Sequence, residues 1–324
     1  MSENFLLRSN PETCHWGFFD AALPPVMTLR SGDTVTIETV SGDREILPRG
    51  GFDILPEHEA ILRAMQPKLG PHILTGPIAI EGAVPGDVLQ VEIQTVDLRQ
   101  NWAWNIIRPF RGTLSEDFPT TKIWHTAIDV ARRVGTLPWG PQVALRPFFG
   151  IMGVAPRPAY GALGSIEPRE YGGNMDLKEL VAGTTLYLPV WARGALFSVG
   201  DGHALQGDGE VCLTGLETAL RGTFKLSLRK DMNLSLPIAE TPTHAITLAF
   251  DADLDDAAKQ ALRAMIALIA ARSGMAPDDA YMLCSLAADL RITQLVDGNK
   301  GVHVMIDKRW LQSPATLKNS ATPL

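Results

Sequence analysis

The chain has 324 residues, 45% hydrophobic and 20% charged, with a formal net charge of −7. That length points to two domains or one elaborated domain, and the acidic balance excludes the basic footprint expected of a nucleic-acid binder. Its three cysteines, Cys14, Cys212 and Cys284, form no Cys-x-x-C, which excludes a disulfide framework or zinc knuckle and suits a reducing compartment.

In chain order, the first strong signal is Ser31-Gly32-Asp33, a turn that opens Thr34–Val40 with apolar residues at alternate positions. Pro85-Gly86-Asp87 opens Val88–Val96 in the same way. Both read as turns feeding half-buried strands. Residues 97–175 differ: Trp102, Trp104, Trp124 and Trp139 lie among many Pro and Gly with little periodicity. Such a stretch reads either as functional loops or as a tryptophan packing layer.

Thr185–Val190 and Ala195–Val199 are further strand signals, Val211 and Leu213 resume one, and Phe224, Leu226 and Leu228 line one face of another. Many short strands at this spacing favour sandwich or barrel architecture over a doubly wound sheet. The period then changes. Ala258, Leu262, Met265, Ile266 and Ile269 fall at helical spacing with Gly274 as C-cap. Pro277-Asp278-Asp279 starts a second helix reaching about Leu290, and strands Ile292–Val296 and Val302–Ile306 flank a turn at 297–301. The tail after Trp310 is polar. The expected fold is therefore mainly β, with sandwich or jelly-roll-like and barrel-like parts in residues 1–230 and an α+β unit in 231–324.

The densest chemistry lies at Val199-Gly200-Asp201-Gly202-His203-Ala204-Leu205-Gln206-Gly207-Asp208-Gly209-Glu210. If 199–203 is extended, Asp201 and His203 project to the same side, because side chains alternate with period two. An Asp and a His so placed can bind one divalent ion. Asp20, in His15-Trp16-Gly17-Phe18-Phe19-Asp20, is a candidate further ligand, and Glu210 serves as ligand or as general base. Asp208 reads as a turn former. Gly172-Gly173-Asn174-Met175-Asp176 is a second constellation: Asn174 and Asp176 either hydrogen-bond a polar ligand or merely hold a tight loop. His58, His72, His125, His244 and His303 each stand alone, as surface or satisfied core residues. Walker loops, Rossmann fingerprints and Gly-x-Ser-x-Gly elbows are missing, and Cys212 among apolar neighbours reads as a packed thiol.

These motifs, in order from Thr75-Gly76-Pro77-Ile78 and Glu81–Asp87 through Gly172–Asp176, Leu188-Pro189-Val190 and Gly200–Glu210 to Glu217, resemble the acetamidase/formamidase family. The N-terminal His15–Asp20 segment is similar to the acetamidase-like branch. The resemblance implies a mainly β hydrolase of carbon–nitrogen bonds in small amides, releasing ammonia, or of γ-lactams. It also implies a bound divalent metal, with zinc the favoured ion and calcium, magnesium and manganese open. In that reading Asp20, Asp201 and His203 hold the metal, Glu210 is the base, and Asn174 and Asp176 orient the substrate. A non-catalytic metal- or ligand-binding β-sandwich is the alternative. With no signal-like N-terminus and no apolar run near the ~20 residues that span a bilayer, the expectation is a cytoplasmic protein without membrane or nucleic-acid partners, and the resemblance implies a homodimer or higher homo-oligomer.

Overall fold

The computed structural model describes residues 4–312. Of the polar tail after Trp310, only Leu311 and Gln312 fall within them; the rest lies outside the described residues.

The fold is mainly β and is built on two large sheets. One has nine strands in the spatial order Asn4–Leu7, Asp33–Glu38, Leu220–Arg229, Val88–Leu98, Thr185–Pro189, Ile238–Glu240, His244–Asp251, Lys300–Asp307 and Ala288–Gln294. The expected alternation appears here: in Leu220–Arg229, Leu220, Phe224 and Leu226 are buried while Arg221 is exposed. The second sheet has eleven strands and centres on Phe197–Leu205. The two face each other across the main core, where the Phe224 ring of one lies 5.5 Å from Phe149 and 6.2 Å from Phe197 of the other. This is the sandwich arrangement. Neither strand path closes into a barrel among the described residues, so barrel-like parts are not formed.

Residues 97–175 are more regular than their composition suggests. Trp102–Ile107, Lys122–Asp129, Val134–Thr136 and Gln142–Ala144 form an antiparallel meander. The pattern was obscured because in Lys122–Asp129 burial alternates only in the second half, where Thr126 and Ile128 are buried, while Ile123, Trp124 and His125 are all half-buried. The tryptophans divide between the two expected roles. Trp102 is core, Trp124 and Trp139 stack edge-on at 5.0 Å, and Trp104 borders a cavity.

At the C-terminal end, helix α1 (Pro56–Ala64) having come earlier, α2 covers Leu254–Ser273 and α3 Pro277–Ala287. Asp253 caps α2 by accepting from the amides of Asp255 and Asp256, and Gly274, with φ of 74°, ends it in the left-handed conformation. The second helix stops short of Leu290. Ala288, Leu290 and Ile292 instead pair with Ile306, Val304 and Val302, because an apolar strand edge is available there. Residue 230 marks a rise in helix content but no break in the sheet, since Ile238–Glu240 pairs with Thr185–Pro189.

A buried cluster of carboxylates around one histidine

The strand Phe197–Leu205 carries the centre of the site. Its first half pairs with Ile73–Ile80, up to Gly200 opposite Leu74, and its second half pairs with Leu216–Glu217, from His203 opposite Glu217. Asp201 sits where one edge partner hands over to the other, and its φ of 53° kinks the strand there. On the opposite edge Phe149 pairs with Gly202 and Ile151 with Gly200, leaving Gly150 facing the kink. The expected extended run through 199–203 is thus interrupted at Asp201. Asp201 and His203 nevertheless meet, with Nε2 of His203 3.1 Å from Oδ2 of Asp201.

The second ring of the cluster arrives from separate loops. Gly172–Asn174 pairs with Phe148–Gly153, and the amides of Met175 and Asp176 both donate to the Gly150 carbonyl. That turn, with Asp176 at φ of 49°, brings Asp176 Oδ1 to 3.6 Å from His203 Nε2. Glu210, also left-handed at φ of 44°, accepts from the Gly215 amide at 2.8 Å through Oε1 and lies 3.9 Å from His203 Nδ1. Val211 and Leu213 form this turn instead of resuming a strand, and Cys212 packs its thiol toward the Ile106 carbonyl. Three non-glycine residues with positive φ in one site are a concentration of backbone strain of the kind held at functional centres.

Two further acids complete the cluster. Glu217, opposite His203, accepts from Ser41 Oγ at 3.0 Å. Asp297 comes from the turn of the C-terminal hairpin, which is pinned to the Gly209 segment by backbone hydrogen bonds from Gly209 to Thr293 and from Leu295 to Gly209. Asp176, Asp201, His203, Glu210, Glu217 and Asp297 are all buried.

So many acids without a counter-charge redistribute their protons. Burial, followed by the charge of Asp201, pushes Glu217 well up, and burial with the charge of Asp176 does the same to Asp297. Burial and the surrounding carboxylates likewise raise Glu210. Asp201 is the exception: burial opposes its ionisation, but His203 outweighs it and holds Asp201 down to about 2. His203 is raised in turn, the Asp201 charge overcoming the effect of burial.

The arrangement fits a divalent cation. Asp176 Oδ1, Asp201 Oδ1, Glu210 Oε2 and His203 Nδ1 are buried polar atoms without hydrogen-bond partners. A Cβ built on Gly150 would stand 2.3 Å from Asp176 Oδ1, 2.6 Å from Asp201 Oδ2 and 2.8 Å from His203 Nε2, so the three atoms lie together against a backbone position where only glycine leaves them room. Carboxylate oxygens with one imidazole suit a hard or borderline divalent ion. Asp176–His203–Glu210 and Asp201–His203–Glu217 are both geometrically possible ligand groups.

A cavity of about 460 Å³ opens beside the cluster, lined by Asn174, Asp176, Asp201, Glu210, Glu217 and Asp297 at its acidic side. Asn174 is buried, with Oδ1 lacking a hydrogen-bond partner.

Asp20 is not brought into this group. It is half-buried, and its carboxylate closes a local turn by accepting from the Ala22 amide at 2.8 Å. Asp176, expected only as a substrate-orienting residue, is the further carboxylate that stands beside His203. His15 is also absent from the cavity wall; its Nε2 pairs with Ser198 Oγ at 2.9 Å. Sequence reasoning missed His72 and Asp297. His72 borders the cavity with Nδ1 2.9 Å from Ser165 Oγ. A lone His and a turn Asp carry no local signal, so neither was legible before folding.

The Acetamidase/Formamidase family model matches residues 8–163 and 157–306. The chain belongs to the acetamidase/formamidase family. A formamidase of Methylophilus methylotrophus is 29% identical over 250 residues, 58% of this chain and 61% of that protein. An acetamidase of Mycolicibacterium smegmatis is 27% identical over 202 residues, covering 44% and 50% respectively. The chain thus matches between half and three-fifths of the length of these relatives. Among solved structures, a predicted acetamidase/formamidase of Thermoanaerobacter tengcongensis is similar with a TM-score of 0.84, 26% identity and coverage of 96% of this chain and 98% of that one. An acetamidase of Bacillus halodurans is similar with a TM-score of 0.81, 30% identity and coverage of 94% and 98%. A gamma lactamase of Delftia acidovorans, at 21% identity and a TM-score of 0.63, shares the fold. In this acetamidase/formamidase family member, no described helix is long and apolar enough to cross a membrane.

Proposed function

We propose that this chain hydrolyses the carbon–nitrogen bond of a small linear amide and releases ammonia, with a divalent metal held by Asp176, Asp201 and His203. The observation that supports the ligand set is the meeting of Asp176 Oδ1 and Asp201 Oδ2 at 3.6 and 3.1 Å from His203 Nε2, all buried. Asp176 replaces Asp20 in this assignment. Zinc is the favoured ion for a set containing an imidazole, and when bound it supplies Lewis-acid chemistry toward the amide carbonyl.

The remaining work falls to the chain's own residues. Asn174 Oδ1, buried without a donor, accepts from the substrate amide nitrogen and fixes which end of the molecule enters the acidic side. Glu210 is tethered through Oε1 by the Gly215 amide, which leaves Oε2 bare at the cavity. From there it takes the proton of the attacking water and passes it to the departing nitrogen, the double duty of a general base and acid. Gly215 gives His203 room, since a Cβ there would stand 2.5 Å from Nδ1. The cytoplasmic, homo-oligomeric state expected from the resemblance belongs to the same proposal; fractionation and sedimentation velocity read it.

The test pairs elemental analysis with ammonia release from formamide, acetamide and a γ-lactam. Glu210→Gln is expected to retain metal and lose about 100- to 10,000-fold in turnover. Near-wild-type turnover in that variant sinks the role of Glu210, and activity indifferent to chelation sinks the metal.

A further inference from the structure

The cavity is far larger than the amides its relatives are named for. Acetamide has four non-hydrogen atoms, so at about 30 Å³ for each water-sized group it occupies on the order of 100 Å³. The cavity holds about 460 Å³, within the range of pockets that enclose ligands of many more atoms. Its lining is chemically mixed. The acids described above line it together with the apolar Ile46, Trp104, Ile106 and Leu213, and Arg108 and Arg111 also border it.

The two arginines are not equivalent. Arg108 is already neutralised, with Glu45 at 2.9 Å and Asp43 at 3.8 Å. Arg111 is exposed and makes no side-chain hydrogen bond or ion pair among the described residues. Its unpaired guanidinium at the cavity wall presents a planar fork of donors, which is matched best by a carboxylate. Attraction at Arg111 therefore acts on a two-ended molecule by holding its anion at the arginine, which leaves its uncharged amide for the acidic cluster.

Resting on the amide-hydrolase reading above, we infer that the substrate is an amide whose far end carries a carboxylate, separated from the amide by a short apolar chain, with Arg111 as the residue that selects it. Water adds to the amide carbonyl, the carbon–nitrogen bond breaks, ammonia leaves with the proton delivered by Glu210, and a dicarboxylate is the product. The distal carboxylate takes no part in the bond changes.

Ammonia release from glutaramate and from pentanamide, matched in chain length, reads this directly. In the wild type kcat/KM is expected to be at least tenfold higher for glutaramate. Arg111→Ala is expected to reduce that preference tenfold or more, and Arg111→Lys to retain part of it. Because Arg111 is exposed, neither change threatens folding. Equal turnover of the two amides, or a preference untouched by Arg111→Ala, overturns the inference while leaving amide hydrolysis standing. If neither amide releases ammonia, hydrolysis itself fails for both. Calorimetric titration of glutaramate into wild type and Arg111→Ala then reads the anion site alone: Arg111-dependent binding upholds it, and equal or absent binding overturns it.

Discussion

Gly150 shows most directly how one residue permits this site. Its backbone is not in the left-handed region, so alanine is conformationally acceptable there. The added methyl, however, would crowd Asp176, Asp201 and His203, at 2.3–2.8 Å from their atoms. Gly150→Ala is therefore expected to lower metal affinity by on the order of 100-fold, as disruption around a ligand set commonly does. Elemental analysis after gel filtration, beside a thermal melt, checks this; full metal content would contradict the ligand set. Asp201 poses a different constraint. Its φ of 53° suits Asn and Asp far better than a β-branched residue. Asp201→Asn is expected to fold with the metal lost. Asp201→Val is expected to be less stable than Asp201→Asn by about 1–3 kcal/mol in urea unfolding, the cost of a residue forced into a sparsely populated conformation.

Among the elements, α2 was legible almost to its ends, because its signals are local. Asp253 caps it, acidic residues fill its first turn, and Gly274 ends it. Asp253→Ala is expected to cost about 1 kcal/mol of stability, measured by denaturant titration, with no change in the site. The strand Phe197–Leu205 was legible in place but not in shape. Hydrophobic alternation announces a strand, whereas the kink at Asp201 depends on two different strands sharing one edge, Ile73–Ile80 and then Leu216–Glu217. The handover involves residues more than a hundred positions away on one side, so no local pattern encodes it. The third helix was overextended for the same reason: Ala288–Gln294 is a strand because Lys300–Asp307 offers it an edge.

For the whole molecule, two buried neutral histidines contribute to the response to acid. Burial lowers His15 and His303 from 6.5 to about 4. At these two positions the unfolded chain then binds more protons than the native one between those values, so their contribution to stability falls as pH drops from about 6.5 to about 4. Each histidine contributes a slope of about 1.4 kcal/mol per pH unit in that window. Urea midpoints at pH 7, 5.5 and 4.5 read the trend, and His303→Gln is expected to flatten it; a slope unchanged in that variant would assign the acid sensitivity elsewhere.

The sequence by itself determined the strand-rich class, the helical pair near the C-terminus, the family resemblance and the choice of Asp201, His203, Glu210, Asn174 and Asp176 as candidates, because periodicity, caps and clustered motifs are written in neighbouring residues. Only the tertiary structure decided that Asp20 closes a turn away from the cluster, that Asp176 stands beside His203, and that Glu217, Asp297 and His72 border the same cavity. These residues come from the two sheets' loops and the C-terminal hairpin. Their meeting is fixed by strand pairing and core packing over long sequence separations, and a single carboxylate in a turn looks the same in sequence whether it caps an amide or faces a metal site.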